Sequence, residues 1–169
     1  HNDRKLERRY NSLVWKNDIV NGRSDLSRYQ ILCRNCNEAK QRQNSYNLLK
    51  PVVLTGELKT CKTCGLDRDS GFFYIHSGDC RRASCSDCVR RYRFQVTLDC
   101  YSALGGHCRC CKESDPFKMN IDHVHNNGCE TRHVGIVFSL CKKILLGRVE
   151  LSDYQLLCAN CNYSKMRHG

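Results

Sequence analysis

Cys108-Arg109-Cys110-Cys111, then Met119-Asn120-Ile121-Asp122-His123-Val124-His125, then Leu156-Leu157-Cys158-Ala159-Asn160-Cys161-Asn162: the fold turns on this stretch. Zinc is satisfied by four thiolates at tetrahedral corners, and a two-residue spacer lets one tight turn present two of them. Cys108 with Cys111, and Cys158 with Cys161, therefore read as two knuckles of one site. Joined, they pin the ends of whatever lies between. The spacer selects Cys111 over Cys110. A closed four-thiolate site has no open position, so such a zinc holds the fold and does no chemistry.

Asp122-His123 fits the reactive role. Met119 to His123 reads as a short strand, in which neighbours point to opposite faces. Asp122 would ligate a hard divalent cation while His123 aims at a water. A neutral imidazole, with a pKa near working pH, suits a general base. Mg²⁺ takes one or two protein oxygens and otherwise keeps water or phosphate oxygens. Asn162, at the start of a helix, would supply the second oxygen, and Lys165 and Arg167 follow within reach of a phosphate. The chemistry these residues imply is metal-assisted hydrolysis of a phosphodiester.

At these residues the chain resembles the phage-type HNH endonucleases (ββα-metal, or His-Me finger, enzymes) with zinc knuckles. The Asp-His-x-His and Cys-x-x-Cys-Asn elements are also similar to the recombination endonuclease VII group of Holliday-junction resolvases. The resemblance covers about the last third of the chain. It implies Asp122 and Asn162 as ligands of a catalytic Mg²⁺ or Mn²⁺, His123 as the base, and Cys108, Cys111, Cys158 and Cys161 as ligands of a structural zinc. His125, Lys165 and Arg167 would support catalysis. Two positions depart from the family: Asn162 stands in place of its last His, and Asp153 in place of its middle Asn.

Composition agrees with a small, metal-stapled protein. The 169 residues include 15 cysteines, mostly in Cys-x-x-Cys pairs, a spacing that favours metal in a reducing compartment over disulfides. A mean hydropathy of −0.60 argues against a large core. No apolar stretch approaches the ~20 residues of a membrane span, and His1-Asn2-Asp3-Arg4-Lys5 does not read as a signal peptide. The expected location is the cytoplasm, a host's if the chain is phage-encoded. The formal charge of +11 falls to +7 once each of two four-thiolate zinc sites contributes −2. That balance suits a nucleic-acid binder and also a merely soluble basic domain.

The chain contains an internal repeat. Residues 19–37, IVNGRSDLSRYQILCRNCN, align without a gap on residues 144–162, ILLGRVELSDYQLLCANCN, at an offset of 125 with 12 of 19 positions identical. Lys40 and Arg42 also match Lys165 and Arg167. At that offset the counterparts of Cys108, Cys111, Asp122 and His123 would fall before residue 1. Cys33 and Cys36 are thus an orphan zinc pair, and this copy, as written, is expected to hold no active site. Either a longer natural chain or a remnant with another role accounts for it. In each copy the segment before the second knuckle looks helical: Val134, Val137, Phe138, Cys141 and Leu145 make one apolar face ended by Gly147, and Gly22 ends the twin carrying Leu13, Val14 and Trp15.

Between the copies, 51–59 reads as a linker into a second metal module. Cys61-x-x-Cys64 and Cys85-x-x-Cys88, 20 residues apart with Phe72-Phe73-Tyr74-Ile75 as a strand, make a zinc ribbon. Val89 onward continues as a helix to about Leu104, stopped by Gly105-Gly106. Val89, Tyr92, Val96 and Tyr101 share one side of it. Arg81, Arg82, Arg90, Arg91 and Arg93 form the densest basic patch, a candidate for phosphate contacts. Cys80, Cys100, Cys129 and Cys141 read as free thiols or small buried hydrophobes, and His107 and His133 as surface residues or ligands.

The expected fold class is a small zinc-stabilised α+β protein: a truncated HNH-like repeat (1–50), a zinc ribbon (51–92) and an HNH endonuclease domain (93–169). The expected function is a Mg²⁺-dependent DNA endonuclease, a hydrolase acting on double-stranded or branched DNA. One complete site makes one cut, so breaking both strands would need a homodimer or a second event. The alternatives are a non-catalytic zinc module that binds nucleic acid, and a junction resolvase.

Overall fold

The computed structural model describes residues 17–47, 52–78, 80–126 and 137–168. His133, Cys129, Val134 and the apolar residues 13–15 lie outside them. The chain divides into two units, 1–32 and 33–169.

In the first unit, residues 17–20 are helical. The helix closes at Gly22, whose φ of +67° suits glycine. The Gly22 N–H donates to the Ile19 carbonyl (3.1 Å) and the Arg23 N–H to the Asp18 carbonyl (2.8 Å), the paired bonds of a Schellman cap. The Asp25 carboxylate then accepts from the Ser27 N–H (3.0 Å) and starts a 3-10 turn, Leu26–Arg28.

The second unit is small and α+β. Its helices are α1 (Arg34–Asn47), α2 (Ser86–Ala103), α3 (Val137–Leu145) and α4 (Ala159–His168). Among the described residues its strands form three antiparallel pairs: β1 (Leu58–Thr60) with β2 (Asp67–Asp69), β3 (Ile75–Ser77) with β4 (Cys80–Arg81), and β5 (Met119–His123) with β6 (Tyr154–Cys158). α2 runs unbroken through residue 92, and α1 belongs to the same unit as everything after it.

Three small cores hold this unit. Cys61, Cys85 and Cys88 surround Phe73. Tyr101, Met119, Leu156 and Leu157 pack around Cys108 and Cys158. Val96 and Cys100 of α2 meet Cys141 and Ile144 of α3. Complete burial of a Leu or Met contributes roughly 1.5–3 kcal/mol, so a core this thin depends on further staples. α3 differs from its expected stripe: Cys141 and Ile144 go inward, whereas Val137 and Leu145 are exposed. Packing against α2 selects the narrower seam through Phe138, Cys141 and Ile144. α3 ends as the first unit's helix does, with Gly147 at φ +62°, its N–H donating to Ile144 (3.0 Å) and that of Arg148 to Lys143 (2.9 Å).

The ribbon's β excursion is also placed differently. Phe72 closes a 3-10 turn, Ser70–Phe72, and only Ile75 of the expected strand lies in one. Asp69 is the cause. Its carboxylate accepts the N–H groups of Thr55, Gly71 and Gly56, which hold its pKa down to about 2, so this anchor is lost only as acid approaches that value.

Candidate metal centres and the cavity beside them

Among the described residues, two groups of four cysteine sulfurs each gather within 4.8 Å of one another: Cys61, Cys64, Cys85 and Cys88, and Cys108, Cys111, Cys158 and Cys161. Both could hold a zinc ion, as the spacing implies. The turns are built alike. The residue after the second cysteine of each first knuckle has positive φ, +72° at Gly65 and +66° at Lys112, and returns an N–H to the first cysteine's carbonyl (2.8 and 3.1 Å). Backbone N–H groups also point at sulfur: Cys85 N–H at Cys61 Sγ (3.2 Å) and Cys161 N–H at Cys158 Sγ (3.5 Å).

N–H donors lower the pKa of Cys61 and Cys108, whereas burial raises that of Cys88 and Cys161. The N–H of Cys85 leads in holding Cys61 down to about 5, whereas burial, followed by its thiol neighbours, pushes Cys88 up to about 12. Burial opposes ionisation of Cys108, but the N–H groups of Cys111, Cys158 and Cys110 outweigh it and bring that thiol to about 7. Burial, then the Cys158 thiol, raises Cys161. Four thiolates this close repel one another, and a divalent cation is the charge that lets all four ionise.

The second four-cysteine group positions the cavity. β5 and β6 pair in register from Met119↔Cys158 to His123↔Tyr154, so the knuckle at Cys158 ends β6 and leads directly into α4. Tyr101 donates its hydroxyl to the Met119 carbonyl (3.0 Å), and the Arg109 N–H bonds the Leu156 carbonyl (2.9 Å). Thus two strands and one helix converge. A cavity of about 650 Å³ lies where they meet, with Asp122, His123, Asn162 and Lys165 all in its lining. The strand rule had set Asp122 and His123 on opposite faces. His123 is the last residue of β5, and both border this space. Its ring lies 5.0 Å from that of Tyr154.

Lys165 is where the geometry departs from expectation. Its ammonium donates to Asp122 Oδ2 (2.6 Å) and to the carbonyls of His123 (2.6 Å) and Val124 (3.2 Å). Three oxygens thus converge on one positive charge. Gln155, opposite Asp122 in the register, donates to the same Oδ2 (2.8 Å). Asp122, His123 and Asn162 bring a carboxylate, a backbone carbonyl and a side-chain amide to one cavity, oxygen donors of the kind a hard divalent cation takes. Gln155 was not foreseen, although the Tyr-Gln pair recurs in both copies (Gln30 and Gln155) and was a usable signal.

The other candidates are spread out. His125 is exposed on the turn after β5. Arg167 donates to the Tyr163 hydroxyl (3.0 Å). His107 lies 3.2 Å from the Lys112 ammonium, and Cys110 is exposed beside its knuckle. Four of the five basic-patch residues have partners within the protein. Arg81 bonds the Phe73 carbonyl (3.0 Å), Arg91 the Cys88 sulfur (3.6 Å), and Arg90 the Asp87 carboxylate and Tyr46 carbonyl. Arg93 lies over the Phe138 ring. Arg82 is exposed. Cys33 and Cys36 are exposed, and among the described residues no second pair joins them.

No described helix is long and apolar enough to cross a membrane. Compared with protein-family models, curated proteins and solved structures, the chain matches none of them.

Proposed function

We propose that the chain is a metal-dependent DNA endonuclease of the HNH kind, with its centre at Asp122, His123 and Asn162. One observation carries this reading: these three side chains border a single cavity beside a four-cysteine centre, with Lys165 held against Asp122. Asp122 and Asn162 would hold Mg²⁺ or Mn²⁺, which when bound supplies Lewis-acid stabilisation of charge developing on the phosphate and the leaving 3′ oxygen. His123 takes the proton from the attacking water, acting as general base for in-line displacement. Gln155 orients the Asp122 carboxylate. Lys165 neutralises it in the absence of the cation and, released by cation binding, faces the phosphate. A zinc held by Cys108, Cys111, Cys158 and Cys161, as a structural site, would fix the strands and helix that carry these groups.

The test is plasmid nicking with Mg²⁺ and with EDTA. Wild type should nick only with the metal, and Asp122→Ala and His123→Ala should each lower the rate by about 10²–10⁴. Cutting at the wild-type rate by either variant would sink the mechanism. Branched against linear duplex substrates then decide between a resolvase and a general endonuclease.

The Lys165–Asp122 ion pair favours a second reading. An ammonium in the cation's place would suit a module that has given up catalysis and only binds nucleic acid. Under that reading wild type binds DNA without added Mg²⁺ and cuts neither with it nor without it.

A further inference from the structure

The two copies of the repeat touch each other at equivalent residues. Asn160 donates its N–H to Asn35 Oδ1 (2.8 Å), and Asn35 donates its N–H to Asn160 Oδ1 (3.2 Å). These residues are 125 apart, the offset of the repeat. A reciprocal exchange between equivalent positions is the signature of a two-fold axis, here local and within one chain. It sets the first turns of α1 and α4 against each other, and position 34 meets position 163.

The copies differ at these facing positions. Arg34 corresponds to Ala159, and Glu38 to Tyr163. The Arg34 guanidinium lies 4.4 Å from the centre of the Tyr163 ring. Arg34 and Glu38 both border the cavity that holds Asp122, His123 and Asn162. Glu38 is paired with Arg42 (2.8 Å), whereas no carboxylate pairs with Arg34 among the described residues. An arginine stacked on an aromatic face keeps its N–H edge free, and that planar edge matches two oxygens of a phosphate.

We propose that the first repeat serves the second repeat's cavity, with Arg34 binding a backbone phosphate of the nucleic acid next to the one that Asp122 and His123 face. The proposal deepens the nuclease reading and rests on it for the position of the reacting phosphate.

The experiment measures binding apart from cutting. The zinc-loaded chain is titrated with a labelled duplex without added Mg²⁺, at several salt concentrations, and nicking is followed separately with Mg²⁺. Arg34→Ala should raise Kd about five- to tenfold and make the slope of log K against log salt shallower by about 0.9, the loss of one phosphate contact. Arg34→Lys should recover most of the salt slope but only part of the affinity, because it keeps the charge and loses the fork. Unchanged zinc content would show that each variant is folded. Wild-type Kd and salt slope in Arg34→Ala would overturn the inference, as would a wild-type chain that binds no duplex. If wild type binds but does not nick, and Arg34→Ala still binds more weakly, the phosphate contact stands and the nuclease reading falls. If wild type nicks in an Asp122-dependent way while Arg34→Ala binds and nicks as well as wild type does, only the Arg34 inference falls.

Discussion

The two copies of the repeat share their local devices and differ in what surrounds them. Around Gly22 and Gly147 the same pair of cap bonds closes a helix, and each is followed by a 3-10 turn, Leu26–Arg28 and Leu151–Asp153. The knuckle turns also match, with Cys36 N–H to Cys33 Sγ and Cys161 N–H to Cys158 Sγ both 3.5 Å. Then the likeness stops. Leu156 and Leu157 are 1% and 5% exposed, whereas their counterparts Ile31 and Leu32 are 103% and 36% exposed. Residues 154–158 form β6 against β5; residues 29–33 pair with no strand among the described residues. Capping and turn bonds are satisfied by neighbours in sequence, but a strand needs a second strand for its bonds and a core for its side chains.

Breaking the metal centres tests this contrast most severely. Cys158→Ser should cost the chain one zinc and the fold of the β5–β6–α4 region, since a structural zinc site is worth roughly 10–16 kcal/mol of binding free energy that is also folding free energy. Cys33→Ser should leave the zinc of both four-cysteine groups in place. Zinc stoichiometry by elemental analysis, with circular dichroism, reads both outcomes. A next, smaller effect separates the cavity from its counterpart. Lys165→Ala removes the ammonium from Asp122 and should change the Mg²⁺ concentration needed for half-maximal nicking, while Lys40→Ala at the matching position of α1 should not, and Mg²⁺ titrations of nicking rate would show it.

Core truncations should divide the copies more gently. Leu156→Ala should destabilise by about 2–5 kcal/mol, the range for a buried Leu. Ile31→Ala should stay within about 0.5 kcal/mol of wild type, as expected for a surface change. Urea unfolding of the two variants gives both numbers. The smallest effect would sharpen the likeness instead. Nothing lies within 4 Å of a Cβ built at either Gly22 or Gly147, so an alanine there meets only the backbone cost of positive φ, about 1–2 kcal/mol. Gly147→Ala should lower the unfolding free energy by that amount, and Gly22→Ala should unwind residues 17–20 locally, visible as faster amide exchange.

Much of the site could be read from spacing, because metal knuckles are local. Cys-x-x-Cys pairs announced both four-cysteine groups, and the apolar alternation at Met119 to His123 announced β5. Phe72 to Ile75 misled, since the turn that Asp69 caps takes precedence over the strand preference of aromatic residues. The basic patch could be counted from composition, but composition does not show that Asp87, Cys88 and two carbonyls engage Arg81, Arg90 and Arg91.

The sequence by itself determined the repeat, its caps and its cysteine pairing within each knuckle, all matters of short-range spacing. Only the tertiary structure decided that Lys165 points at Asp122, that Gln155 supports it, and that Arg34 of one copy borders the cavity of the other. Those contacts join residues 33 to 129 positions apart, and which charges meet across such distances follows from how β5, β6, α1 and α4 pack, which no local pattern encodes.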